Sequence, residues 1–299
     1  MRLPKTVVLS AVVMAMALST TFLSSLHTSP ASATATAPKH RILSAGDHVE
    51  SLSWGGLTRT YLVHVPSGRT LAGRPLVVVF HGAGNTASST AGSTDFEQVA
   101  NRLGDDVVFA QGYHDTWDDL VGNTASARAH VNDIGFTNAL LNALTPLLEY
   151  NVSRVALTGF SNGALMVETL GCRLAGRINL IVPVEGELGS AVSATCKPSR
   201  PVNVLEIHST ADTTIPYSGG TYSATGGSVS VLSAPASVAR WAELDGCNAT
   251  PAMTTGVGLK FTHYSGCRNG VTVRLRTIVG GSHSWGSNIG QLVMSTLGH

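Results

Sequence analysis

The sequence predicts an α/β protein: a mostly parallel central sheet with helices on both faces. Three observations carry this expectation. Short, continuously apolar runs recur along the chain, as buried parallel strands require. Segments with helical period separate them, so strand and helix alternate. A third is length: with the first 37 residues set aside, about 260 remain, enough for one large domain with a substantial core. The expected organisation is therefore residues 38–299 as a single α/β domain.

The elements follow in order. Residues 1–37 have the three zones of an export signal: basic Arg2 and Lys5, an apolar run from Val7 to Leu18, and small residues around Ala31-Ser32-Ala33 or Ala35-Thr36-Ala37. Ser19, Thr20 and Thr21 break the run short of the ~20 residues a membrane span needs. His48 to Pro66 reads as an opening hairpin around the turn Gly55-Gly56. Buried strands are expected at Leu76 to Phe80, Val107 to Ala110, Val155 to Thr158, Leu180 to Val184, Val202 to Ile207 and Val271 to Ile278. Helical period marks Phe96 to Leu103, Ile134 to Leu148 and Ala164 to Leu174. Ser218 to Pro235, rich in Gly, Ser and Thr, reads as a loop.

Net charge is +1 with 12% charged residues, so no basic field exists to collect nucleic acid. No membrane contact is expected after signal removal, and a monomer is the expected state. The four cysteines of an exported chain read as two disulfides. Three pairings are possible; Cys172 with Cys196 and Cys247 with Cys267 are preferred because each closes a local loop. Paired Cys-x-x-Cys spacing is missing, so no structural metal is expected.

Gly159-Phe160-Ser161-Asn162-Gly163 is a G-x-S-x-G pentapeptide. In a chain with 32 glycines the motif alone is weak, but its placement is specific. It follows a buried strand and precedes a helix, the strand–turn–helix that holds a nucleophilic serine on a strained bend. Side chains at 159 and 163 would collide in so tight a turn. A serine hydroxyl needs a base to take its proton and an acid to orient that base, in the chain order Ser, Asp or Glu, His. Asp212 follows one strand and His283 follows the last, so all three map to the carboxyl rim of the sheet. His208 is the competing base, and Asp133 and Glu185 are the competing acids.

Acyl transfer also needs donors for the developing oxyanion. His81-Gly82-Ala83-Gly84-Asn85 follows the first buried strand, and the backbone N–H of Ala83 is the expected loop donor, with Gly82 or Gly84 as alternatives. The N–H of Asn162 would be the second donor, and the His81 side chain is not a catalytic candidate. Trp285, Trp117 and Tyr217 are the candidate aromatic residues for an acyl or aryl pocket.

This order of motifs resembles the polyhydroxybutyrate depolymerase-like esterases, a family that includes feruloyl and acetylxylan esterases. The resemblance covers about Tyr61 to Trp285. It rests on H-G-A-G at His81, V-N-D-I-G-F at Val131, G-F-S-N-G-A at Gly159, the Cys172 and Cys196 placement, H-S-T-A-D-T-T-I-P-Y at His208, W-A-E-L-D-G-C at Trp241 and G-G-S-H-S-W at Gly280. It implies an α/β-hydrolase fold, an extracellular esterase with no cofactor or metal, Ser161, Asp212 and His283 at the triad positions, and an ester substrate such as a polyester oligomer or an acylated polysaccharide. Ser209, Ala83 and Gly286 depart from the residues common in relatives and bear on the shape of the acyl pocket. A second possibility on the same fold is an acyltransferase or peptidase.

Overall fold

The apolar runs become strands because a continuous run of β-formers can be buried only where both faces of a sheet are covered. The computed structural model describes residues 41–67, 73–224 and 227–298. The expected export signal lies outside the described residues. Among the described residues twelve strands form: β1 Gly46–Trp54, β2 Leu57–Val65, β3 Leu76–Phe80, β4 Asp106–Ala110, β5 Val155–Phe160, β6 Leu180–Val184, β7 Asn203–Ser209, β8 Gly220–Ala224, β9 Gly227–Val231, β10 Ala252–Gly256, β11 Leu259–Tyr264 and β12 Val273–Ile278. Between them lie helices α1 Ala87–Ser93, α2 Phe96–Leu103, α3 Ala125–Arg128, α4 Asp133–Leu148, α5 Asn162–Leu174, α6 Ser190–Thr195, α7 Ala234–Leu244 and α8 Ile289–Thr296.

Ten of the strands make one sheet in the order β1-β2-β4-β3-β5-β6-β7-β12-β11-β10. Pairing is parallel from β4 through β12, and antiparallel at both edges. One face packs Leu140, Leu144, Met166, Leu170, Val238 and Trp241, from α4, α5 and α7. The other packs Phe96, Val99, Ile289 and Val293, from α2 and α8. Helix starts are set locally: Thr86 and Ser89 form a reciprocal capping box on α1, and Asn132 accepts the Gly135 N–H at the start of α4.

Two features depart from the sequence expectation. Residues 218–235 hold the β8–β9 hairpin and the start of α7, where the sequence reads as a loop. The Gly/Ser/Thr content masked a period-2 alternation, in which Val229 and Val231 are buried while Ser228 is exposed and Ser230 half-buried against Ser190. The β10–β11 hairpin on the far edge is mostly exposed and shows no apolar run. Both preferred disulfides form, Cys172–Cys196 and Cys247–Cys267. No helix among the described residues is long and apolar enough to cross a membrane.

Below the carboxyl rim the core holds an unusual number of acids. Glu168, Glu187 and Glu206 have no solvent exposure. Glu168 accepts the Trp241 indole N–H at 2.6 Å. Burial raises all three carboxyls, Glu187 to about 10, because a charged carboxylate loses its hydration there. A carboxyl whose folded pKa lies above the unfolded ~4.3 contributes its stability fully below that value. The contribution is lost as pH rises toward the folded value. Thermal melts are therefore expected to show the Glu206→Gln variant gaining on the wild type progressively from pH 5 to pH 9. A difference that stays constant over this range would contradict burial-driven protonation of Glu206.

Candidate active site

Ser161 sits between β5 and α5 with φ 58° and ψ −123°, a region that L-residues adopt only under constraint. The constraint is visible on both sides. The Ser161 N–H donates to the Val184 carbonyl at 3.0 Å, and its carbonyl accepts the Ala164 and Leu165 N–H groups at 2.8 and 3.1 Å. A Cβ at Gly159 would strike the Gly163 carbonyl, and one at Gly163 would strike the carbonyls of Phe80 and His81. The glycines let strand and helix approach closely enough to hold the bend.

Asn162 anchors the elbow to the loop after β4. Its Nδ2 donates to Asp119 Oδ2 at 2.6 Å and to the Trp117 carbonyl at 3.2 Å, and its Oδ1 accepts the Trp117 N–H at 2.9 Å. Burial pushes the Asp119 carboxyl up to about 6, against the pull of the Gly122 and Val121 amides and of Asn162.

The candidate acid and base follow neighbouring strands. β7 and β12 run parallel, with Ile278 opposite Ser209, so the chain leaves both strands side by side. Ala211 N–H then donates to the Gly281 carbonyl at 3.0 Å, and Gly280 N–H to Thr210 Oγ1 at 2.9 Å, which stitches the two loops together. A Cβ at Gly281 would come within 2.6 Å of Ser209 Oγ. Asp212 Oδ1 accepts the N–H groups of Thr214 and Ile215 at 2.7 and 2.9 Å. Its Oδ2 lies 2.6 Å from His283 Nδ1. Burial pushes the Asp212 carboxyl up, but hydrogen bonds from His208, His283 and the Ile215 amide outweigh it and hold the group well below the usual carboxylate range. The His283 ring rests on Phe160, with centroids 4.6 Å apart.

Ser161 and His283 line one cavity of about 750 Å³. Among the described residues no hydrogen bond joins the Ser161 hydroxyl to the imidazole. Unliganded sites commonly hold this contact long or misaligned.

Gly82, Ala83, Gly84 and Asn162 lie on the same cavity wall. The Gly84 N–H is donated to the Asp115 carbonyl at 2.9 Å, so that alternative donor is engaged elsewhere. His81 is structural: its Nε2 accepts the Gly112 N–H at 3.0 Å, and its Nδ1 donates to the Gly82 carbonyl at 2.8 Å. Burial lowers its pKa, in keeping with a neutral ring that shapes the loop.

None of the three candidate aromatic residues lines the cavity. Trp117 is wholly buried, donates its indole N–H to the His81 carbonyl at 2.9 Å and meets Phe80 edge-on. Trp285 stacks on Phe160 with centroids 5.4 Å apart and meets Phe96 at 6.0 Å, so it supports the ring on which His283 rests. Tyr217 is half-buried and hydrogen-bonds Thr277 at 2.9 Å. Sequence proximity to the chemistry does not fix the direction of a side chain. The apolar wall is built from Leu165, Ile215, Tyr222 and Val229, two of them on the hairpin that reads as a loop.

The competing acids are committed elsewhere. Asp133 takes hydrogen bonds from Arg59, Ser126 and the Asp118 amide, and Glu185 takes both the N–H and the hydroxyl of Ser209. Two clusters of His and carboxylate ligands lie within 4.8 Å: Glu185, Asp212 and His283, and separately Asp47, His64 and Glu97. The first is the candidate acid–base pair with Glu185 beside it, and in the second His64 is hydrogen-bonded to Asp47 at 2.6 Å.

No protein-family model matches the chain. It is 28% identical over 236 residues to feruloyl esterase B of Piromyces equi, covering 76% of this chain and 43% of that protein. The chain spans less than half the length of the curated relatives it matches. Among solved structures, an acetyl xylan esterase from Aspergillus awamori superposes with TM-score 0.63 at 13% identity, covering 84% of this chain and 99% of that one. Est1E from Butyrivibrio proteoclasticus gives TM-score 0.50 at 14% identity over 83% and 95% of the two chains. The chain therefore has the α/β-hydrolase fold, and it is similar in sequence to esterases of the feruloyl-esterase type.

Proposed function

We propose that the chain is an exported serine hydrolase that cleaves carboxylic esters, with Ser161 as nucleophile, His283 as general base and Asp212 as the acid that orients it. The observation that carries the reading is the Asp212–His283 hydrogen bond at 2.6 Å, held beside a cavity whose wall includes the strained Ser161. His283 Nε2 takes the Ser161 proton as the hydroxyl oxygen attacks the ester carbonyl. The amides of Ala83 and Asn162 receive the developing oxyanion. His283 then protonates the leaving alkoxide, and a water activated by the same ring releases the acid and restores the serine. Export is supported by the two disulfides, which persist in oxidising compartments.

Esters of the feruloyl and acetylxylan type are the substrates best supported, by the relatives named feruloyl esterase B and bifunctional acetylxylan esterase/xylanase XynS20E. Poly-3-hydroxybutyrate oligomers are the second reading, supported by the motif resemblance from His81 to Trp285. The acyl group would lie against Leu165, Ile215, Tyr222 and Val229, in a cavity that Asn85, Asp115 and Arg128 also line.

A fluorophosphonate is expected to label the wild type and not Ser161→Ala, and Asp212→Asn is expected to lower kcat by about 10³–10⁴ for want of the correct ring tautomer. A wild type left unlabelled by the probe would refute the serine-hydrolase reading. Rates on methyl ferulate, acetylated xylan and 3-hydroxybutyrate oligomers rank the substrates. Tyr222→Ala is expected to shift chain-length preference among p-nitrophenyl acyl esters toward longer acyl groups, read from kcat/KM across the series. An unchanged preference would remove Tyr222 from the acyl wall.

A further inference from the structure

Behind the proposed acid lies a second histidine that the reaction as written does not use. His208 is on β7, four residues before Asp212, and has no solvent exposure. Its Nε2 lies 3.0 Å from the Ile215 carbonyl, 3.4 Å from Glu185 Oε2 and 3.5 Å from Asp212 Oδ2. Its Nδ1 lies 3.3 Å from Glu187 Oε1, and Tyr217 meets the ring edge-on at 5.8 Å. The Asp212 oxygen that His208 approaches is the one that lies against His283. The other oxygen is held by the Thr214 and Ile215 amides.

We propose that His208 is a positioning residue: it shares Asp212 Oδ2 with His283, fixes the carboxylate plane from behind, and limits how much carboxylate charge His283 receives. The inference rests on the triad reading above. A buried carboxylate with one free lone pair would be able to rotate about its Cβ–Cγ bond. Here both oxygens are engaged, and the Ile215 backbone contributes at each end, its amide donating to Asp212 and its carbonyl accepting from His208.

Ser209 and Glu185 complete the support. Glu185 Oε1 accepts the Ser209 hydroxyl at 2.5 Å and Oε2 accepts the Ser209 amide at 2.9 Å, which places the carboxyl beside both His208 and Asp212. Burial, together with the neighbouring Asp212, raises the Glu185 carboxyl despite its bonds to Ser209, and burial raises Glu187 as well. Both are thus kept from competing as anions with Asp212. The titratable groups facing the ring are therefore Glu185, Glu187, Asp212 and Tyr217.

Replacing His208 with Gln withdraws this partner and leaves the carboxylate charge to His283 alone. Stronger stabilisation of the protonated base moves the acid limb of the kcat/KM profile upward. His208→Gln is expected to raise that limb by about one pH unit and to lower kcat about tenfold with KM within about twofold. Activity is normalised to the fraction of protein labelled by the fluorophosphonate, so misfolded material does not enter. A purely structural role would lower the melting temperature and the labelled fraction but leave the limb in place, and that result overturns the proposal.

Should the variant fail to fold, the wild type answers by NMR: the His208 ring-proton resonance is expected to move with the same midpoint as the acid limb of activity. A resonance that stays fixed across that limb overturns the proposal as well. Failure of the wild type to react with the fluorophosphonate instead refutes the triad reading, so the two failures are told apart.

Discussion

Parallel pairing of β7 with β12 is the constraint on which the site depends. It sets Ile278 opposite Ser209, so two chain segments separated by about 70 residues leave the sheet at the same level and on neighbouring strands. The Ala211 and Gly280 amides then bond across the two exits, and Asp212 and His283 meet without either loop having to find the other unaided. A slip of one residue would turn the strand side chains to the opposite face and separate the pair.

A second constraint acts on the other side of the cavity. The elbow at Ser161 stores backbone strain, and glycines at 159 and 163 together with the bond to Val184 hold it in place. The Asn162 side chain ties this bend to Trp117 and Asp119, so the loop after β4 is fixed by the residue that follows the serine. Trp117 in turn bonds the His81 carbonyl, and His81 bonds Gly112. One connected set of hydrogen bonds thus runs from the elbow to the loop carrying Ala83, the candidate oxyanion donor.

The buried acids beneath the rim have a cost. Taking Glu168, Glu187 and Glu206 out of water favours their neutral forms, whereas the partners of Asp212 hold it ionised. Acids pushed in opposite directions by their surroundings are a recurrent mark of functional sites. Here the contrast follows from partners: Asp212 has donors on both oxygens, whereas at Glu187 burial outweighs the backbone hydrogen bond of its own amide.

Sequence alone determined the elements whose information is local. Leu76 to Phe80 and Leu180 to Val184 are continuous apolar runs that only a doubly covered strand can bury, and both formed with those bounds. The serine elbow was legible because Gly159 answers a steric demand within five residues, whereas the demand on Gly163 comes from the distant carbonyls of Phe80 and His81. The chain order of Ser161, Asp212 and His283 placed three candidates at strand ends on one rim. Tertiary structure decided what depends on direction and on distant partners. Trp117, Trp285 and Tyr217 stand near the candidate serine, base and acid in sequence yet are absent from the cavity lining: the two indoles pack on Phe80, Phe96 and Phe160, and Tyr217 is held by its hydrogen bond to Thr277. The cavity wall came instead from Tyr222 and Val229, on a hairpin whose Gly, Ser and Thr content hid its alternation. His208 gained its place beside Asp212 only because the turn after β7 folds back on its own strand, a contact that spacing along the chain does not specify.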